Sequence, residues 1–141
     1  MPAPKQRFEG IGNVNNVLPP DTNGDVGPNH YVQWVNLSFA IFDRKAGEID
    51  YGPAAANTLW QGAGAPCETR NDGDPIVLYE HLADRWLFSQ LALPNGLAGP
   101  FYQCIAVSHT GDPTGVYYRY DFKVSDTKLN DYPKVGLWPD S

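Results

Sequence analysis

Three oxygen-bearing side chains alternate in the stretch PPDTNGDVGPNHYVQW, residues 19–34: Asp21, Asn23 and Asp25. Calcium is a hard cation that binds carboxylate and amide oxygens, and calcium loops often present such side chains at alternate positions. The spacing therefore predicts a Ca²⁺ site formed by these three residues. The stretch does not place a glycine and a closing glutamate as an EF-hand loop does, and an Asx turn at the entry to a strand is the alternative interpretation.

Two further aspartates stand before apolar segments, as Asp25 does. Asp74 ends the acidic loop RNDGDP, and Asp131 lies in NDYPKVGLWPD. Three carboxylates that met at one place would repel one another unless a cation or an arginine neutralised them. Such a group is suited to metal binding or acid–base chemistry. The alternative is that each aspartate bonds only to the backbone of its own strand.

A hydrolase of ester or glycosidic bonds would need a nucleophile and a base. Asp74, Ser89 and His81 are the candidate catalytic residues, because a serine needs an adjacent histidine and an orienting carboxylate. The G-x-S-x-G nucleophile motif is absent from the sequence. Ser108 and His109 are adjacent in sequence, so they would point to opposite faces of a strand and do not form a dyad.

Four tryptophans are present, and one of them is a candidate for substrate binding. Trp34, Trp86 and Trp138 lie in or beside apolar strand-like segments, which favours a place in the core. Trp60 lies in the loop sequence NTLWQGAGAP. We expect Trp60 to be exposed and able to stack on a carbohydrate.

The chain has two cysteines, Cys67 in a polar loop and Cys104 in an apolar segment. They lie roughly 37 residues apart, outside any C-x-x-C pattern, and two cysteines alone do not make a zinc site. They either form a disulfide or remain buried thiols. A disulfide would indicate an oxidising compartment.

The composition indicates an all-β protein that does not bind nucleic acid. Fourteen Gly and thirteen Pro without a period, with 13% aromatic residues, are typical of many short strands joined by turns. The formal net charge of −6 and the lack of a Lys/Arg cluster exclude a phosphate-binding face. The sequence also lacks an apolar run of the ~20 residues that a membrane span requires.

Short runs rich in β-branched and aromatic residues predict the strands that must position these side chains. The clear ones are Tyr31–Asn36, Ser38–Asp43, Pro75–Glu80, Trp86–Leu91, Phe101–Ser108 and Val116–Val124, with a weaker strand near Glu48–Tyr51. The segments FDRKAGEIDYG, EHLADRW and SHTGDPTGVYY read as the turns between them.

A repeat of Asp, then Pro or Gly, then an apolar strand begins at Asp25, Asp74 and Asp131. The intervals of roughly 49 and 57 residues approximate the length of a four-stranded propeller blade. We therefore expect one β domain over 1–141, with blade one at about 25–73, blade two at about 74–130 and the start of blade three at 131–141. Blades that do not close a ring leave open edges, so we expect self-association through them. The alternative fold is a β-sandwich of about eight strands.

The segments PPDTNGDVGPNHYVQWVN, NTLWQGAGAPCETRNDGDPIVLYEHLADRWLFSQ, YQCIAVSHTGDPTGVYYRY and DYPKVGLWPD together resemble a module of secreted bacterial β-propellers of the sialidase-like or calcium-associated kind. The resemblance covers nearly the whole chain after Phe8. It implies an extracellular location, a blade-type fold and a disulfide between Cys67 and Cys104. The sialidase motif S-x-D-x-G-x-T-W and an arginine triad are absent, which argues against sialidase activity. The expected function is binding of Ca²⁺ or carbohydrate, with hydrolysis as the alternative.

Overall fold

The computed structural model describes residues 3, 4, 6–64 and 66–138, and within them the fold is all-β, as predicted. Two short 3-10 helices, Ala56–Trp60 and Gly96–Ala98, are the helical segments of this part of the chain. The strands, numbered in chain order, are β1 Asn23–Val26, β2 His30–Val35, β3 Ser38–Asp43, β4 Ile49–Ala55, β5 Ile76–Glu80, β6 Arg85–Ala92, β7 Phe101–Ser108 and β8 Tyr117–Ser125.

The strands form two antiparallel sheets of four, in the orders β1-β2-β3-β4 and β5-β6-β7-β8. Each sheet is a meander, because short turns can join only antiparallel neighbours. The three predicted turns lie at the β3–β4, β5–β6 and β7–β8 connections. Strands β3 and β7 have the predicted bounds, and the other predicted strands shift by one residue or more at an end, most of all β4.

The core lies between the two sheets, which pack face to face. Trp34 and Phe39 of the first sheet contact Phe88 of the second, with ring centroids 6.1 and 5.9 Å apart. Along each strand the inward residues alternate with outward ones, since successive side chains of a strand point to opposite faces. Trp34 and Trp86 are fully buried, which confirms the predicted core position of these two tryptophans.

Strand β1 was missed by sequence reasoning, which assigned its residues to a turn. It pairs with β2 from Asn23↔Trp34 to Val26↔Tyr31. Its four residues NGDV have low β propensity, so the tertiary context determines this strand. Asn23 and Asp25 accept hydrogen bonds from the backbone of β5, which joins the two sheets at this edge.

The aspartates of the sequence repeat do not occupy equivalent positions, contrary to the prediction. Asp25 lies inside β1, the first strand of its sheet, whereas Asp74 precedes β5, the first strand of the second sheet. The Asp25 side chain accepts a hydrogen bond from the backbone N–H of Tyr79, near the end of β5. Asp74, in contrast, lies before β5 begins.

The strand count agrees with both architectures that the sequence left open. Eight strands in two packed sheets match the sandwich alternative, and two four-stranded meanders are also what two blades would contain. The two sheets do not close into a ring in the described part of the chain. Residues 131–138, the expected start of a third blade, form no strand, and 139–141 lie outside the described residues.

Cys67 and Cys104 form a disulfide, as the resemblance implied. It ties the loop after the first sheet to β7 of the second. None of the helices in the described ranges is long and apolar enough to cross a membrane.

Candidate ligand-binding cleft

A cleft of about 160 Å³ opens between the two sheets at the side opposite β1 and β5. Five elements meet there: the core strand β3, the edge strands β4 and β8, the 3-10 helix at 56–60, and the loop before β8. The lining residues are Phe39, Ile41, Tyr51, Thr58, Leu59, Pro113, Thr114, Gly115, Tyr117 and Arg119.

The floor and walls of the cleft are apolar or aromatic. Phe39 and Ile41 point inward from β3 and are buried, and they form the floor. Tyr51 of β4 stands over Phe39 with ring centroids 5.6 Å apart, and it is about half exposed. On the other side Tyr117 meets Phe88 edge to face at 5.5 Å. A ring-sized ligand could therefore contact aromatic carbon on its faces.

The rim of the cleft is polar, and its hydroxyl groups are oriented. The Thr58 hydroxyl donates to the Ala55 carbonyl at 2.6 Å, and the Thr114 hydroxyl donates to an Asp112 carboxylate oxygen at 2.7 Å. Each hydroxyl has used its single hydrogen and keeps free lone pairs. Arg119 donates from Nη1 to the Gln61 carbonyl and retains further N–H groups. The rim thus combines two acceptors with one strong donor.

The 3-10 helix at 56–60 is held in place by buried contacts. Trp60 at its end is fully buried and donates from Nε1 to the Ile105 carbonyl at 3.3 Å. The Asn57 side chain donates to the Glu68 carbonyl at 2.8 Å, one residue after the disulfide at Cys67. These contacts fix Thr58 and Leu59 against the core, so one side of the cleft is preformed.

The loop before β8 is ordered by Asp112 and Tyr117. Asp112 accepts hydrogen bonds from the backbone N–H and the hydroxyl of Thr114, which lower the pKa of its carboxyl group. Tyr117 donates its hydroxyl to the Pro113 carbonyl, and burial, with smaller contributions from Asp112 and Tyr51, raises the pKa of the Tyr117 phenol. Tyr117 therefore stays neutral at physiological pH, as a wall and not as an acid–base group.

The residues predicted to bind calcium are engaged with N–H donors. Asn23 Oδ1 accepts from Val77 N at 2.7 Å, and Asp25 Oδ2 accepts from Tyr79 N at 2.8 Å. Asp25 Oδ1 accepts from Val26 N, and Asp21 Oδ2 accepts from the Asn36 amide at 3.0 Å. The Asn23 and Asp25 oxygens thus hold β1 to β5, and Asp21 holds the Asn36 side chain. The described residues also contain no cluster of three or more His, Cys, Asp or Glu that could hold a metal ion, and the calcium site stays a prediction.

The three predicted catalytic residues stand apart. Ser89 is buried in β6, where it pairs with Ile76 at the start of β5, and its hydroxyl accepts from Gln103. His81 lies in the turn at the other end of β5, against the Tyr79 ring. Asp74 accepts a hydrogen bond from Tyr132 N at 2.9 Å. No hydrogen bond among the described residues joins these three side chains, so the fold does not assemble them as a triad.

Asp74 does lie in an acidic neighbourhood, but with a different partner from the one predicted. Burial raises the pKa of its carboxyl group, and the negative charges of Asp21 and Asp131 raise it further. The hydrogen bond from Tyr132 and the charge of Lys134 act in the opposite direction. The aspartate that acts on Asp74 together with Asp131 is therefore Asp21 and not the predicted Asp25. The Asp25 carboxylate instead accepts a hydrogen bond from β5.

The prediction that Trp60 is exposed was wrong, since its ring is fully buried and offers no face to a ligand. Trp138, expected in the core, is 72% exposed. Sequence reasoning missed Tyr51, Thr58, Thr114 and Arg119 as a group. The turn sequence GDPTG was the one local pattern that pointed to any of them. The four residues lie in four separate elements, which the fold brings together.

The chain matches no known protein-family model, and no curated protein or solved structure is significantly similar to it. The resemblance to secreted bacterial propellers therefore stays a prediction.

Proposed function

We propose that this chain is a carbohydrate-binding module that holds one sugar ring in the cleft between its two sheets. The observation that carries the proposal is the pairing of an aromatic and apolar floor with hydroxyls whose hydrogens are already donated. Small-ligand sites commonly have an apolar lining with a few placed polar groups.

A pyranose ring has the complementary chemistry. Its C–H faces are apolar and suit the half-exposed ring of Tyr51 above the apolar floor, while its edge carries hydroxyl groups that both donate and accept. Sugar hydroxyls would donate to Thr58 and Thr114 and accept from Arg119. A purely apolar ligand would leave these polar groups desolvated without partners, at a cost of about 1–3 kcal/mol each.

The disulfide supports a location in an oxidising compartment, because cytosolic thiols are kept reduced. We propose that the module acts outside the cell, where carbohydrate surfaces are accessible. The two four-stranded meanders support interpretation of the sheets as blade-type units.

The test is titration with a panel of neutral sugars, followed by amide NMR. The panel contains glucose, galactose, mannose, xylose and N-acetylglucosamine, with oligosaccharides of each. We expect at least one to bind and to shift the amide signals of Thr58, Thr114 and Gly115. Absence of binding by every member at millimolar concentration would overturn the proposal.

Variants decide whether the cleft is the site. Tyr51→Ala and Arg119→Gln should each weaken binding at least tenfold, which corresponds to about 1.4 kcal/mol. Arg85→Gln is the matched control, since Arg85 lies in β6, away from the cleft, and its side chain donates to carbonyl groups of the adjacent turn; it should leave the affinity unchanged. Binding that survives both cleft variants would place the sugar elsewhere and reject this site.

A further inference from the structure

The outer face of the second sheet is a broad apolar surface. Tyr117 points inward to Phe88, so the alternate residues of β8 point outward. Tyr118, Tyr120 and Phe122 are 54, 46 and 51% exposed, and the Tyr120 and Phe122 rings are nearly parallel with centroids 6.0 Å apart. We call this surface the outer face; its residues are Leu78, Leu87, Ile105, Val107, Tyr118, Tyr120, Phe122 and Val124.

The corresponding face of the first sheet is covered by the N-terminal segment. Phe8 packs on Tyr31 and Phe42 with ring centroids 6.0 and 5.3 Å apart. Ile11 joins the same buried cluster, and its backbone N–H donates to the Gln33 side chain at 2.8 Å. The first sheet is therefore packed on both faces.

Up to residue 138, where the described part of the chain ends, the C-terminal segment covers one end of the second sheet. Asn130 donates from Nδ2 to Gln103 Oε1 at 2.7 Å, and Gln103 in turn donates to Ser89 and the Gln90 carbonyl. Ser89 and Leu91 are buried at this end. The aromatic residues of β8 remain exposed beside it, so among the described residues this face is covered less than the outer face of the first sheet.

We propose that the outer face is an interface with a second copy of this chain. Aromatic side chains carry about 150–250 Å² each, so the half-exposed Tyr118, Tyr120 and Phe122 offer about 300 Å² per copy. With the aliphatic members the face offers on the order of 500 Å² per copy, and two copies bury about 1,000 Å², the lower limit for a specific interface. The largest apolar patch of a typical monomer covers about 300–600 Å² and is often functional, and the outer face falls in that range.

A closed dimer fits this face better than an open-ended chain of many copies. The N-terminal segment of each copy covers the middle of the outer face of the first sheet, so that sheet offers a neighbour less apolar surface than the second sheet does. Packing the same patch on itself about a two-fold axis closes after two chains. The outward positions of β7 and β8 carry no charged side chains, so like-charge repulsion across the interface is avoided there.

Sedimentation equilibrium across the micromolar to millimolar range tests the proposal. We expect the mass of two chains at high concentration, with a dissociation constant on the order of micromolar for an interface near the lower size limit. A mass of one chain at every concentration, or of more than two, would overturn it.

Substitutions in β8 test whether the outer face, and not the edge of the strand, forms the interface. Tyr120→Ser and Phe122→Ser should each weaken the dimer at least about tenfold, since aromatic residues at the centre of an interface carry much of its energy. Asp121→Ser is the matched control, because Asp121 is exposed on the opposite face of β8; it should leave dimerisation unchanged. A dimer that resists both aromatic variants, or one that Asp121→Ser disrupts equally, rejects the outer face as the interface. Circular dichroism checks that each variant is folded, and sugar binding is measured separately on the opposite side of β8.

Discussion

The carboxylate of Asp25 accepts a hydrogen bond from the backbone N–H of Tyr79 at 2.8 Å, across the gap between the two sheets. Two residues earlier Asn23 makes the same contact with Val77 N. In a continuous sheet, the backbone carbonyl groups of a neighbouring strand would accept these N–H groups. Here the side chains of β1 accept them, so β1 and β5 are joined although they belong to different sheets.

Removing the Asp25 carboxylate should destabilise the fold. Asp25→Ala leaves the Tyr79 N–H without its acceptor, and the free energy of unfolding should fall by about 1–3 kcal/mol. Asp25→Asn keeps an acceptor oxygen and should lose less. Urea unfolding monitored by tryptophan fluorescence measures both. Equal stability of the alanine variant and the wild type would contradict the structural role.

The calcium site that the sequence predicts at residues 21–25 competes with the hydrogen bonds that its oxygens accept, and thermal unfolding decides between the two. The oxygens of Asn23 and Asp25 are occupied by N–H donors from β5, and a ligand stabilises a protein only by binding its folded state. We expect the same thermal midpoint in excess Ca²⁺ and in EDTA. A midpoint that rises with Ca²⁺, and no longer does so in Asp21→Asn, would restore the calcium site.

The disulfide should contribute substantially to stability. A cross-link that closes a loop of this length (the two cysteines are 37 residues apart) stabilises a fold by about 3–4 kcal/mol in the chain-entropy model. The double variant Cys67→Ser, Cys104→Ser should therefore unfold at a lower urea concentration. It should also lose sugar affinity, because Asn57 bonds to Glu68 beside the bridge. A wild type that gives the same midpoint with and without reductant would disagree with this prediction.

Asp74 should make stability depend on pH. Its pKa is raised in the folded chain, chiefly by burial and then by Asp21 and Asp131. The folded state thus binds a proton more readily than the unfolded state, so the ionised carboxylate opposes folding at neutral pH and this cost disappears as the pH falls through the raised pKa. Asp74→Asn should be more stable than the wild type at pH 7, with the difference vanishing in acid.

Thermal unfolding of both proteins over the acidic to neutral range measures this effect. Asparagine accepts the positive φ of 52° at this position and keeps an oxygen for Tyr132 N. Asp121→Asn is the control, because Asp121 is an exposed aspartate on β8. A stability difference between wild type and Asp74→Asn that does not change with pH would assign the effect to something other than the charge.

Local pattern was enough to predict most of the strands. Phe101–Ser108 and Ser38–Asp43 alternate or run apolar between turn formers, and their bounds were predicted without error. Strand β1 was not predictable in this way, because NGDV has neither apolar alternation nor β-branched residues apart from its last position. It is a strand because β2 pairs with it and β5 receives its side chains.

The sequence did not indicate the candidate site in the cleft, for a related reason. Tyr51 and Arg119 lie in edge strands of different sheets, and Thr58 lies in a 3-10 helix between them. Residue spacing indicates a site when its residues lie in one short stretch, as Asp21, Asn23 and Asp25 do. It does not indicate a site whose residues come from different elements, as Tyr51, Thr58 and Arg119 do.

By itself the sequence determined the all-β class, the turns and the inward tryptophans of two strands, because propensity and alternation act over a few residues. Only the tertiary structure decided that Trp60 is buried, that Asp25 faces Tyr79, and that a cleft with a polar rim opens between the sheets. Each of these depends on how the two meanders pack, and that packing is set by contacts between residues far apart in the chain.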